Sequence, residues 1–168
     1  MSGRVTIAAI AALIALGAAP SASADCQVQP LGPSSVDGLL ADIPGFLVQQ
    51  GCPAVGSPFA GADMKAVTAG EISRDGTTVM SVFAGELNDG SGAAFVHDTV
   101  LAALPGTAIE TQTVAGYPVT YFNSRQLGDG YLYADGRTVL VAYDTAWPQS
   151  GSAAKEILPT LLGRIRPA

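Results

Sequence analysis

The chain has 168 residues, of which 48% are hydrophobic and 13% charged, and its formal net charge is −6 at pH 7. This length and apolar content suffice for one domain with a buried core. The acidic residues are dispersed and no basic stripe opposes them, which argues against nucleic acid or an anionic lipid surface as a partner.

Residues 1–24 have the pattern of a secretory signal peptide. Arg4 supplies a positive charge, residues 5–19 are uncharged and apolar, and residues 22–24 (Ala-Ser-Ala) match a cleavage site. The apolar run is short for a membrane span. We therefore expect residues 25–168 to form a single exported α+β domain, secreted or in the cell envelope, without a stable membrane span. A retained membrane-anchoring helix is the alternative.

The chain has two cysteines, Cys26 and Cys52. In an exported protein such a pair most simply forms one disulfide. It would close a loop of about 25 residues and stabilise the fold by roughly 3–4 kcal/mol. The chain lacks a C-x-x-C motif and a second Cys or His cluster, so we expect neither redox chemistry nor a metal site. Asp25 directly before Cys26 does not fit a lipoprotein anchor.

The first predicted elements are a short helix over residues 36–41, which Ser34 or Ser35 can cap, and an extended piece at residues 46–48. Residues 64–73 and 77–84 flank Asp75-Gly76, a strong signal for a hairpin with a type I′ turn. The glycine-rich residues 85–92 are predicted to be a flexible connection, and the EF-hand spacing fails there.

The second half of the chain predicts a helix, four strands and a final helix. The first helix follows Ser91 and ends near residue 104. Strands at residues 108–114 and 117–123 surround Ala115-Gly116, and strands at 131–134 and 138–143 surround Asp135-Gly136. The final helix begins after Ser152 and has a clear apolar face.

Two stretches of the chain resemble each other at a constant offset of 60 residues. RDGTTVMSVF (residues 74–83) aligns with ADGRTVLVAY (residues 134–143), and the register continues without a gap into the helices. Two strand–strand–helix repeats and two unrelated α+β segments both remain open. In either case we expect an α+β fold, with an antiparallel twisted sheet of five to seven strands and two main helices packed on one face.

The tyrosines give the only functional indication. Side chains alternate between the faces of a strand, which predicts that all five tyrosines lie on one face, with the only tryptophan, Trp147, in a nearby loop. Rigid, amphipathic tyrosines suit a binding surface for a protein, glycan or lipid headgroup. The competing interpretation is ordinary half-buried cross-strand pairs. The tyrosines are Tyr117, Tyr121, Tyr131, Tyr133 and Tyr143.

Catalytic motifs are weak. His97 is the only histidine, no G-x-S-x-G is present, and a helix should point His97 and Asp98 in different directions. No glycine loop suited to phosphate binding precedes a helix, so no cofactor is expected. A pair of acidic residues for glycoside hydrolysis stays open.

The Ala-rich leader, the acidic body and the phrases VAGYPVTYF, GDGYLYADGRTVLVAYD and ILPTLLGRI resemble uncharacterised small exported proteins of high-GC Gram-positive bacteria. The resemblance covers roughly the last hundred residues, rests on turn and core residues, and implies no catalytic motif. The leading hypothesis is a secreted or envelope protein that acts as a non-enzymatic binding module. The alternatives are a small secreted hydrolase and a structural envelope protein.

Overall fold

The computed structural model describes residues 32–51, 58–59, 61–90, 92–102, 108–124, 128–144 and 153–166. These residues form one antiparallel open sheet with the strand order β1-β2-β3-β7-β6-β5-β4, and two helices. The α+β class and the antiparallel sheet are as predicted, and the strand count is at the upper end of the range. The elements are β1 (Leu47–Gln50), β2 (Met64–Arg74), β3 (Thr77–Leu87), α1 (Gly92–Ala102), β4 (Ala108–Val114), β5 (Tyr117–Ser124), β6 (Gly128–Asp135), β7 (Thr138–Asp144) and α2 (Ala153–Arg164).

Three two-residue turns connect neighbouring strands. Asp75-Gly76 and Ala115-Gly116 take positive φ at both residues, as a type I′ turn requires, and both lie where the sequence predicts them. The third turn lies one residue later than predicted, because Asp135 pairs with Thr138 and leaves Gly136-Arg137 as the loop. Strand β3 also continues to Leu87, so residues 85–87 belong to the sheet and not to a flexible connection.

The two helices lie on opposite faces of the sheet, which corrects the expectation that both pack on one face. Val96 of α1 packs in a cluster with Val139 and Val141 of β7. Ile157 of α2 packs with Leu140 and Ala142, which point the other way. The physical reason is that β7 is buried over its whole length, so both of its faces need cover. We call these the α1 face and the α2 face.

Residues 34–43, here called the 34–43 segment, cover the α2 face together with α2. Its apolar side chains are buried in the same cluster as the helix: Val36, Leu39, Leu40 and Ile43. The predicted helix over residues 36–41 is instead a series of turns, in which backbone N–H groups donate to carbonyls three residues earlier. Gly38 interrupts any helix there because its φ is +72°, outside the helical region.

Arg164 at the end of α2 fastens the 34–43 segment. Its guanidinium donates to the carbonyl oxygens of Leu39, Ala41 and Asp42 at 3.1, 3.1 and 2.6 Å. The backbone N–H of Arg166 donates to the carbonyl of Ser35 at 3.1 Å. Arginine suits this role because its planar guanidinium offers several donors in a fixed geometry.

A buried polar network joins the other end of the segment to the sheet. The Glu86 carboxylate accepts a hydrogen bond from the backbone N–H of Ser35 at 2.7 Å and one from Lys65 Nζ at 2.8 Å. Thr138 Oγ1 donates to Ser35 Oγ at 2.7 Å. Burial pushes the pKa of Glu86 upward, but the bonds from Lys65 and Ser35 outweigh it, so the pKa lies below its ordinary value.

Several predictions concern residues outside the described ranges: the signal peptide at residues 1–24, the Cys26–Cys52 disulfide and the position of Trp147. They remain predictions. In the part of the chain that the structure describes, no helix has the length and apolar character needed to cross a membrane.

Candidate binding edge at strands β4 and β5

Four of the five tyrosines share the α2 face. The rings of Tyr117 and Tyr133 meet edge-on at 5.7 Å between centroids, and those of Tyr121 and Tyr131 lie at 5.4 Å. Tyr143 is on the α1 face, so the expectation that all five share a face is wrong for this residue. The reason is the two-residue loop between β6 and β7: it pairs odd-numbered residues of β6 with even-numbered residues of β7.

Three of the five tyrosines are core residues. Tyr131 and Tyr133 are only 9% and 5% exposed, and Tyr143 packs between the rings of Phe83 and Phe122. Burial raises the pKa of Tyr131 and of Tyr143 to about 12. Tyr117 and Tyr121 are half-buried at the margin of the cluster. Only these two are available to a partner from the predicted tyrosine face.

Acidic side chains surround Tyr121. Its phenol donates to Asp129 Oδ1 at 2.8 Å, and Asn123 Nδ2 donates to the same oxygen at 2.6 Å. Burial raises the pKa of Tyr121, and the carboxylates of Asp129 and Glu110 raise it further. Glu110 is paired with Tyr121 across β4 and β5 and is exposed. This corner of the α2 face is therefore negatively charged.

Strand β4 forms one edge of the sheet. It has seven residues, and among the described residues no strand pairs with its outer side. Ile109 is 51% exposed on it, and Glu110, Thr111 and Thr113 are exposed as well. The opposite edge strand, β1, has only four residues. An edge strand that is long, regular and free of proline and lysine is open to pairing with another chain.

A second feature is a shallow cleft of about 360 Å³ between α1 and the β6–β7 turn, lined in part by His97, Asp98 and Asp135. His97 Nδ1 lies 3.1 Å from Asp98 Oδ1, and His97 Nε2 lies 3.1 Å from Thr120 Oγ1. The expectation that the helix would point His97 and Asp98 apart is wrong. Sequence analysis did not identify Thr120, because no motif marks it and it reaches His97 only through the fold.

Among the described residues, no group of three or more His, Cys, Asp or Glu side chains could hold a metal ion. Comparison with known proteins adds no further information: no family model, no curated protein and no solved structure matches this chain.

Proposed function

We propose that this protein is an exported, non-enzymatic binding module that recognises a protein partner with its β4–β5 edge. The observation that carries the proposal is the open outer side of β4, with Ile109 exposed on it. Two half-buried tyrosines, Tyr117 and Tyr121, lie on the adjacent strand, on the α2 face, whereas Ile109 lies on the α1 face. Each face of this edge thus offers one kind of contact that is typical of interaction surfaces, aromatic on one side and aliphatic on the other. The leader sequence supports secretion or placement in the cell envelope.

The test compares the two edges of the sheet. Ile109→Ser should weaken partner capture from native culture fluid about tenfold, because loss of a buried apolar contact costs roughly 1–2 kcal/mol of binding free energy. Leu47→Ser is the matched control, since Leu47 is 70% exposed on the opposite edge strand. Captured protein would be quantified on immobilised wild type and on each variant.

Both variants should keep the wild-type melting temperature, because both side chains are exposed. Equal capture by wild type and Ile109→Ser would contradict the proposal. An equally large loss of capture in Leu47→Ser would also contradict it.

A small secreted hydrolase is the second candidate, favoured by the order hydroxyl, imidazole, carboxylate in Thr120, His97 and Asp98. In that case His97 Nε2 would take the proton of Thr120 Oγ1 as this oxygen attacks an ester or amide carbonyl, and would give that proton to the alcohol or amine that leaves as the acyl bond breaks. Water would then hydrolyse the acyl group from Thr120. A panel of chromogenic esters tests this candidate. Hydrolysis that is lost in His97→Gln would support it, and hydrolysis that survives this change would remove it.

We also infer that the two halves of the chain are repeats of one strand–strand–helix unit. The support is that Val82 pairs with Ala142, its own counterpart at the offset of 60 residues, at the centre of the sheet. The placement of α1 and α2 on opposite faces departs from simple twofold symmetry. Separate structures of homologous chains with a single unit would test this inference.

A further inference from the structure

We propose that β4 binds an extended segment of the partner protein as an additional strand, and that this segment carries a basic side chain opposite Glu110. The inference rests on the proposed function and specifies how the edge recognises its partner. Main-chain hydrogen bonds would supply affinity, and alternate side chains on the two faces of the added strand would supply specificity.

The backbone of β4 has the required donors and acceptors. Val114 and Tyr117 flank the two-residue turn and pair with each other, so Val114, Gln112 and Glu110 direct their backbone groups toward β5. The alternate residues Ile109, Thr111 and Thr113 direct theirs outward. An added strand can therefore bond to three N–H and three C=O groups of β4.

Charge decides which side chains fit on the α2 face. Glu110 lies there beside Tyr121, and Asp129 accepts a hydrogen bond from the Tyr121 hydroxyl on the same face. The β4–β5 hairpin, residues 108–124, contains no lysine or arginine, and Arg125 is the only basic residue of the sequence between residues 108 and 135. A lysine or arginine of the partner strand, placed opposite Glu110, would therefore pair with a carboxylate whose own β4–β5 hairpin contains no basic residue.

On the α1 face, the same edge favours a different kind of side chain in the partner strand. Ile109 is exposed there, paired across the strands with the buried Phe122. Its neighbour on that face, Thr111, adds a methyl group and is exposed too. An apolar side chain on the partner strand would cover Ile109. The partner sequence is thus expected to alternate basic and apolar residues.

A second copy of this chain is a poorer occupant. Antiparallel pairing of two β4 strands about Thr111 would place Glu110 opposite Gln112 of the other copy and would bring both acidic corners together. Each copy also carries a net charge of −6. Like charges across paired strands are destabilising, whereas a basic segment is attracted.

The experiment measures binding of a fluorescent peptide of about nine residues that alternates lysine and valine, long enough to span an edge strand of this length. We expect the lysine peptide to bind at least tenfold more tightly than its glutamate counterpart. N-methylation of alternate backbone amides should weaken binding about tenfold, since it removes donors to β4 without changing the side chains.

Protein variants test the same contact from the other side. Thr111→Pro removes an outward N–H, a change that edge strands tolerate, and should weaken binding about tenfold. Thr111→Val keeps the N–H and should bind as wild type does. Glu110→Lys should reverse the preference, so that the glutamate peptide binds better than the lysine peptide.

Three results would overturn the proposal. The first is that N-methylation of the peptide leaves binding unchanged, and the second is that the lysine and glutamate peptides bind equally well. The third is that the protein is a dimer in solution and that Thr111→Pro dissociates it. Failure here is distinguishable from failure of the proposed function. If Ile109→Ser loses partner capture while Thr111→Pro retains it, the edge is the binding site but strand addition is not its mode.

Discussion

Gly130 shows how one residue directs the aromatic packing. A Cβ at this position would overlap the ring of Phe122, which lies over the glycine and is fully buried. The Phe122 ring in turn meets Tyr143 at 5.9 Å between centroids. The glycine between Asp129 and Tyr131 is thus a packing requirement, because it makes room for the Phe122 ring that contacts Tyr143 on the α1 face.

The buried phenols predict a loss of stability at alkaline pH. The pKa of Tyr131 and of Tyr143 is raised from 10.0 to about 12 in the folded state. Their contribution is therefore complete below pH 10 and is lost as the pH rises through about 12, because the unfolded chain ionises first. Ultraviolet absorbance of tyrosinate, followed during titration of the folded protein, measures these values.

Tyr143→Phe should remove one late-titrating phenol and reduce the alkaline loss of stability, since phenylalanine keeps the ring and has no proton to lose. If the pH dependence of stability is the same in Tyr143→Phe as in wild type, or if Tyr131 and Tyr143 ionise near pH 10 while circular dichroism remains native, the burial of these phenols is contradicted.

At the scale of elements, the β4–β5 turn holds a residue in an unfavourable conformation. Ala115 has a φ of 51°, where a Cβ costs roughly 1–2 kcal/mol. Asparagine tolerates this region and is the preferred residue before glycine in a type I′ turn. Ala115→Asn should therefore raise the free energy of unfolding by about 0.5–1 kcal/mol. Urea unfolding measures the change.

Ala115→Val is the opposing control, because a β-branched residue fits positive φ poorly and should destabilise the hairpin. Equal stability of Ala115→Asn and Ala115→Val would show that the turn does not have the type I′ conformation.

Elements with local signals could be predicted directly from the sequence, whereas their relative placement depends on strand register and on burial. Asp75-Gly76 and Ala115-Gly116 identify their hairpins because positive φ is a property of the turn residues themselves. The face of Tyr143 depends on the exact length of the β6–β7 loop. The turn that the sequence predicts is also two residues long. It therefore pairs odd-numbered with even-numbered residues and puts Tyr143 on the other face of the sheet from Tyr131 and Tyr133.

The sequence also carries a signal for the positions of the two helices. In β7, the run VLVAY is apolar at every position, which is typical of a strand that is buried on both faces. One helix on each face satisfies that requirement. The contact between His97 and Thr120, in contrast, has no local pattern, because it requires α1 and β5 to meet in the fold.

At the scale of the whole molecule, the 34–43 segment completes the core of the α2 face, and its attachment depends on pH. Glu86 has a lowered pKa in the folded state because the hydrogen bonds from Lys65 and Ser35 outweigh burial. A lowered carboxyl pKa contributes stability above its unfolded value of 4.5, and this contribution is lost as the pH falls through the folded value.

Glu86→Gln should therefore lower the free energy of unfolding by about 1–3 kcal/mol near neutral pH, because it weakens the bonds to Lys65 and Ser35. The difference from wild type should shrink as the pH falls below 4.5 and the Glu86 carboxylate becomes protonated in the folded protein. Glu110→Gln, at an exposed carboxylate, is the control and should change little at either pH. If Glu86→Gln lowers the free energy of unfolding as much in acid as at neutral pH, the stabilising role of the Glu86 charge is contradicted.

The unequal lengths of the two outermost strands limit how many molecules can join. An indefinite fibre of sheets requires every molecule to accept a neighbour on both sides. Here one side offers seven residues and the other only four. The four-residue edge offers a neighbour fewer backbone hydrogen bonds than the seven-residue edge, so sheet extension is favoured on one side of the molecule and a repeating fibre is disfavoured.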